Sequence, residues 1–254
     1  MLFDTTHLLY ILISSISSAI LLVLLFVFVK KYETKVVLLK IFAILTILIH
    51  YSSLWVDYFS TGTADVPNTM LLPIYPCNVS MWLLLILAFI SNKKSKFFAF
   101  LAEFTFYLGV VGGILGIVLN ENYAGTPDLT NFEILKGLLS HTLLIIGCFY
   151  LFSGGFIKIR VKNVLSVFVG MLVLLADGYL INWLFSIFSL PEVNSMYLLH
   201  VPFPELPWLN TFSIGAMGLG LVFLITAFYE LLFLKKGERW TDTLKNFENR
   251  RKNI

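Results

Sequence analysis

The sequence predicts an all-α, polytopic membrane protein of seven transmembrane helices, with its N-terminus outside and its C-terminus cytoplasmic. Three observations carry that reading. Hydrophobic residues make up 58% of the 254 and charged residues only 13%, with a mean hydropathy of +0.87, whereas a soluble domain carries roughly 25% charge. Seven windows reach the length of about 20 apolar residues needed to cross a bilayer: 7–29, 36–59, 70–90, 97–119, 132–152, 164–188 and 209–234. Lysine and arginine then alternate between connections, dense in one and absent from the next.

The first window has no basic stretch before it and no small-residue cleavage site, so it reads as a retained span. Lys30, Lys31 and Lys35 follow, with Lys40 just inside the second span. That span sets Thr46, His50, Ser53 and Asp57 at helical spacing, which places all four on one face. The third span opens MLLPIYPC, and Pro73 and Pro76 forbid a regular helix at its entry. In lipid, the freed carbonyls must face protein or a wet cavity. Cys77 comes directly after, beside Asn78 and Ser80. Lys93, Lys94 and Lys96 mark the next connection.

The fourth span carries Glu103 and the run GVVGGILG at 109–116, small residues that let helix backbones approach closely. The fifth carries Lys136, the one exception to the charge alternation, then Ser140, His141 and Cys148. After Lys158, Arg160 and Lys162, the sixth span carries Asp177, Asn182 and Ser186. The connection 189–210, SLPEVNSMYLLHVPFPELPWLN, is too apolar for a free loop and too proline-rich for a span. It is expected to lie over the outer face as a lid. The seventh span leads into a basic tail, expected to be a surface helix at the inner leaflet, where anionic lipid attracts cations. The organisation is thus a seven-span domain, 1–234, and a basic cytoplasmic tail, 235–254. Basic connections stay inside, and an odd number of crossings puts the termini on opposite sides of the cell membrane.

Ionisable groups inside spans are expensive and usually face a bundle interior or a cavity. At about 1.5 Å per residue, Cys77 lies roughly 10 Å below the outer boundary, His141 about 13 Å and Asn182 about 9 Å. His50 and Asp177 lie deeper, and Glu103 belongs to the inner half. A cysteine in a span is most often a small apolar filler, and a histidine there an interhelical hydrogen-bond partner. The shared depth of Cys77, His141 and Asn182 sets a thiol–imidazole chemistry beside that plain reading. No HExxH or CxxC spacing fixes two metal ligands on one element, so neither a metal nor a cofactor is expected. The two cysteines do not form the disulfide framework of a secreted domain. The net charge of +3 gathers at the membrane boundaries, so nucleic acid is not an expected partner. Oligomeric state stays open.

The run LLPIYPC at 71–77, with SHTLL at 140–144, resembles the YwaF-like family of bacterial integral membrane proteins. Its members open the third span with Leu-Pro-x-x-x-Cys and carry a histidine in the fifth. An Asn-rich sixth span follows, then Asn-x-x-Tyr-Leu and prolines, matched here by Asn182, then Asn194 with Tyr197 and Leu198, then Pro202 and Pro204. The likeness covers residues 70–235; where many members have a histidine two residues before the cysteine, this chain has Tyr75. The family is more distantly similar to an animal seven-span protein that transfers acyl chains between phospholipids to make ether phosphatidylethanolamine. What the resemblance implies is acyl transfer between membrane phospholipids through a covalent intermediate on Cys77. His141 would be the base, Asn182 or Asn194 donors to the oxyanion, and Asp177 an orienting group. His50 remains the alternative base. The polar stripe of the second span, with Asp177 and Glu103, also leaves open a transporter or solute-binding protein with a proton-linked path. A seven-span sensor or assembly factor without chemistry is a third reading.

Overall fold

Eight α-helices lie wholly within residues 3–62, 72–120, 123, 127–201 and 206–242, the part of the chain that the computed structural model describes. They are α1 (Thr5–Phe28), α2 (Tyr32–His50), α3 (Ser52–Thr61), α4 (Pro76–Phe89), α5 (Lys96–Val118), α6 (Phe132–Ser153), α7 (Val164–Ile187) and α8 (Thr211–Phe233). No strand occurs among the described residues. Every window read from the sequence contains helix, and α1, α5, α6, α7 (with the 3₁₀ turn before it) and α8 are long and apolar enough to cross a membrane.

The second and third windows depart from a single straight helix, each for a local reason. The second breaks at Tyr51 (φ −91°, ψ 11°). Ser52 turns its hydroxyl onto the Ile49 carbonyl at 2.7 Å, an alternative to the helical ladder that serine readily offers. The Tyr51 hydroxyl accepts from Trp82 Nε1 at 3.0 Å, which pins the break against α4. In the third window α4 begins only at Pro76, in the first turn, where proline's missing N–H costs nothing. Its 14 residues cover about 21 Å, short of the roughly 30 Å hydrocarbon core.

Side-chain caps set the starts of four helices. Asp4 accepts from His7 N, Ser95 from Phe98 N, Asn131 from Glu133 N and Ile134 N, and Asn210 from Phe212 N and Ser213 N. Each satisfies first-turn donors that have no intrahelical partner. At the other end of α4, the Lys93 ammonium donates to the carbonyls of Leu87, Ala88 and Ile90 at 2.6–3.1 Å.

The main core joins α2, α4, α5 and α6 through Leu39, Met81, Leu84, Ala102, Leu144 and Cys148, all fully buried. The first helix lies at the edge of this core, with Leu22 and Leu25 packed against it and most of its apolar surface exposed. Polar ties hold it: buried His7 meets the Ile117 carbonyl at 2.9 Å, and the Tyr10 hydroxyl meets Thr142 at 2.9 Å. The connection after α7 folds back over the bundle as a 3₁₀ turn at Ser195–Tyr197, which is the lid-like course the sequence suggested. Its prolines 202 and 204 lie outside the described residues. Of the basic tail, 235–242 is described and is drawn onto α8: buried Glu230 accepts from the backbone N–H of Trp240 and of Val161. The expected surface helix beyond 242 lies outside the described residues.

Candidate functional site

The site begins at the broken entry to α4. Tyr75 is extended (φ −119°, ψ 154°) and leads into Pro76, so Cys77 falls in the first helical turn. The Ile74 carbonyl, which no helix uses, accepts from Met196 N at 2.9 Å and Ser195 Oγ at 3.1 Å. That is the partner that a freed carbonyl requires away from water. Asn182 of α7 holds the same turn. Its Oδ1 accepts from Ser195 N at 2.9 Å, and its amide donates to the Ser195 carbonyl at 3.3 Å. The Tyr75 and Tyr197 rings stand 5.2 Å apart, centroid to centroid. The connection is therefore stitched to the residues just before Cys77.

Two of the supporting residues read from the sequence thus work on the connection. Asn182 has its carbonyl and an amide hydrogen committed to Ser195, so its Oδ1 and Nδ2 serve the lid rather than the thiol. Half-buried Asn194 closes a turn, accepting from Leu199 N and His200 N and donating to the His200 carbonyl. Asp177, on α7, has its Oδ2 buried with no hydrogen-bond partner among the described residues. The adjacent Gly178 packs against Met196 and Leu198 of the connection.

The half-buried Cys77 thiol donates to Asn78 Oδ1 at 3.2 Å. The Asn78 amide donates in turn to His50 Nε2 at 3.3 Å. Because an amide nitrogen only donates, this Nε2 is an acceptor and the His50 proton sits on Nδ1. His50 therefore reaches the thiol through Asn78.

His141 is arranged differently. Its Nδ1 lies 2.7 Å from the Gly137 carbonyl one turn back. A carbonyl only accepts, so Nδ1 carries the proton and Nε2 holds a lone pair, which has no hydrogen-bond partner among the described residues. The Cδ2–Nε2 edge of the ring rests on Gly116, where a Cβ would collide with both atoms. One turn earlier on the same face of α5, Gly112 receives Cys77, whose N, Cα and Cβ would stand 3.6–3.7 Å from an added Cβ. A turn is about 5.4 Å, so the start of the Cys77 side chain and the edge of the His141 ring rest on successive steps of one glycine face. A step before Gly112, Gly109 makes room for Cys148 and Ser80. The run GVVGGILG is thus a packing surface, as its small residues indicated, and that surface seats Cys77 and His141 one turn apart.

A third polar group was not assembled from the sequence. The hydroxyl of Ser53 on α3 donates to Glu133 Oε1 at 2.7 Å, and the buried Lys136 ammonium donates to Ser53 Oγ and to Glu133 Oε2. Lys136, the exception to the charge alternation, is thereby neutralised inside the bundle. His50 lies within electrostatic reach of Lys136, Glu133 and His141. The expected polar stripe is interrupted instead of continuous. Thr46 returns its hydroxyl to the Phe42 carbonyl, His50 turns to Asn78, and Ser53 turns to Glu133. Glu103, at the far end of α5, accepts from Ser166 at 2.9 Å. No group of three metal-ligating side chains occurs among the described residues.

A family model described as the TMEM164 family matches residues 2–230. No curated protein and no solved structure matches.

Proposed function

The chain belongs to the TMEM164 family, a family of membrane proteins, and from that premise we propose that it is a phospholipid acyltransferase of the cell membrane with seven spans. The observation that supports this reading is the seating of Cys77 and the His141 ring one turn apart on one glycine face of α5, with His141 Nδ1 taken up by the Gly137 carbonyl. The resemblance to YwaF-like proteins and to the animal acyltransferase supplies the reaction class. In this proposal α2 and α3 together make the second crossing and α4 the third, and the termini lie on opposite sides.

The reaction runs in two halves. His141 Nε2 takes the proton from the Cys77 thiol, and the thiolate attacks the ester carbonyl of a donor phospholipid. As the tetrahedral intermediate collapses, the ester C–O bond breaks and the proton passes from His141 to the departing lysolipid oxygen. A thioester remains on Cys77. An acceptor lysophospholipid hydroxyl then gives its proton to His141 and attacks that thioester; the C–S bond breaks and the thiol is restored. Asn78 orients the sulfur. His50 sits behind Asn78 and is the alternative base. The connection sewn to Ile74 covers the site, and excluding water favours transfer over hydrolysis. The transporter reading loses support from the stripe on α2 and α3, whose described side chains close on local partners.

The test uses purified protein in nanodiscs with a labelled donor phospholipid and a lysophospholipid acceptor. Cys77→Ala and His141→Ala are expected to lower transfer at least ~10²-fold, the scale of a lost nucleophile or general base, with thermal stability retained. Cys148→Ala is expected to keep activity. Mass spectrometry should find a hydroxylamine-sensitive acyl group on Cys77. Full transfer by Cys77→Ala overturns the proposal.

A further inference from the structure

A second site stands at the opposite end of α4. The fourth helix stops at Phe89, which lies against Lys40, with the Lys40 ammonium 5.3 Å from the ring centroid. From Lys40, α2 runs another eight residues back to Tyr32, about 12 Å. Between these unequal ends is a cavity of about 410 Å³. Its polar lining comes from Tyr32, Glu33 and Lys40 of α2 and from Ser91 and Lys93 after α4.

The hydrogen-bonding state of those groups is informative. Lys93 gives its ammonium to three carbonyls of α4, so it contributes charge to the cavity rather than donors. Lys40 has only the Phe89 ring against its ammonium, and no hydrogen bond engages the side chains of Ser91 or Tyr32 among the described residues. Glu33 forms no ion pair there with either lysine. Burial and the charge of Lys40 together push the Lys93 ammonium below the usual lysine range. Two cations are therefore held against each other beside one carboxylate, with an ammonium and two hydroxyls free to donate. A lysine just inside a segment read as a span is costly, and an anion between the two lysines relieves the repulsion. In the proposed seven-span topology this end of α2 and α4 faces the headgroup level, and Phe89 with the stem of Lys40 offers apolar surface to an acyl chain.

We propose that the recess between the starts of α2 and the end of α4 binds the phosphodiester of an anionic glycerophospholipid, with Lys40, Ser91 and Tyr32 donating to it. This site is independent of the chemistry at Cys77, which lies at the other end of α4.

The test measures thermal unfolding of the full chain in neutral detergent as dioleoylphosphatidylglycerol, dioleoylphosphatidylcholine or soluble glycerol phosphate is titrated in. Phosphatidylglycerol is expected to raise the midpoint by mass action, and phosphatidylcholine and glycerol phosphate are not. Lys40→Met keeps the apolar stem and is expected to weaken the apparent affinity for phosphatidylglycerol at least tenfold. Lys40→Arg is expected to retain it, as is Lys158→Met on a different connection. Equal protection by phosphatidylcholine overturns the requirement for an anion, and equal protection by glycerol phosphate overturns the lipid. Undiminished affinity in Lys40→Met overturns the site. Should Lys40→Met not fold, Ser91→Ala replaces it, with a loss of affinity expected and unchanged affinity again overturning the site.

Discussion

Lys136 shows how a single side chain departs from a rule the rest of the chain obeys. A lysine at the lysine-poor end of a bundle is costly unless a carboxylate neutralises it, and Glu133, one turn back, does so at 2.5 Å with Ser53 completing the contact. Glu133 is half exposed, so solvent screens part of the attraction. Lys136→Met is expected to lower stability by about 1–3 kcal/mol, the cost of stranding buried partners, read as a fall in the unfolding midpoint in detergent. Adding Glu133→Gln should restore part of that loss, because the two residues share one interaction. At the bundle's edge, Asp4 provides a pH-dependent tie. His7 N–H and the Tyr123 hydroxyl hold its carboxyl below the ordinary value of 3.8. A depressed native value stabilises the fold above the unfolded value and is lost as pH falls through the native one. Hydrogen exchange in the first turn of α1 should therefore rise only below pH 3.8, and Asp4→Ala should show the faster exchange already at neutral pH. The candidate residues Cys77, His141 and His50 could be picked from the sequence, because ionisable side chains in spans are few. Their order of contact was not legible, since it depends on the Asn78 rotamer and on which nitrogen of each ring is protonated.

At the scale of elements, glycine spacing in α5 decides what the neighbouring helices can present. Gly112 and Gly116 are one turn apart and each meets one half of the candidate pair, yet they differ in tolerance. A methyl group at 112 would meet Cys77 at 3.6–3.7 Å, an ordinary contact, whereas at 116 it would overlap the His141 ring. Gly112→Ala is expected to be near neutral in acyl transfer. Gly116→Ala should swing the imidazole away and reduce transfer by tenfold or more, with the unfolding midpoint changed little because a ring edge can move. Equal effects of the two substitutions would separate His141 from the reaction. The sequence identified the glycine run as a packing face but not its tenants, because helical spacing fixes which residues share a face and says nothing about which neighbour faces them. The second window was legible as helix and its break was not. Nothing in the run LIHYSSLW excludes continuous helix; the break rests on tertiary contacts of Tyr51 and Ser52. The late start of α4 was legible, since prolines act through local covalent geometry.

The whole molecule is sorted by charge along its long axis, and the structure supplies contacts that tie the sorting together. The fifth connection and the tail, both basic in sequence, meet where Arg160 donates to the Glu238 carbonyl at 3.2 Å and pairs with its carboxylate at 3.6 Å. At the lysine-poor end, Asp4 near the N-terminus accepts from the hydroxyl of Tyr123 in the fourth connection at 2.7 Å. The sixth connection joins the entry to α4 there through Ile74. Connections that share a charge class thus touch one another, as they do in a bundle whose helices run alternately up and down. In the proposed seven-span topology, positive-inside bias sets the orientation. In a Cys77→Ser, Cys148→Ser background, Thr130→Cys is expected to react with a membrane-impermeant maleimide on intact cells. Lys94→Cys should react only after permeabilisation. The reverse pattern would invert the protein in the membrane while leaving the bundle intact, and it would move the Cys77 end to the cytoplasmic leaflet. Labelling of both positions from one side would mean that α4 or α5 fails to cross, and the short α4 would then be a re-entrant helix instead of a span.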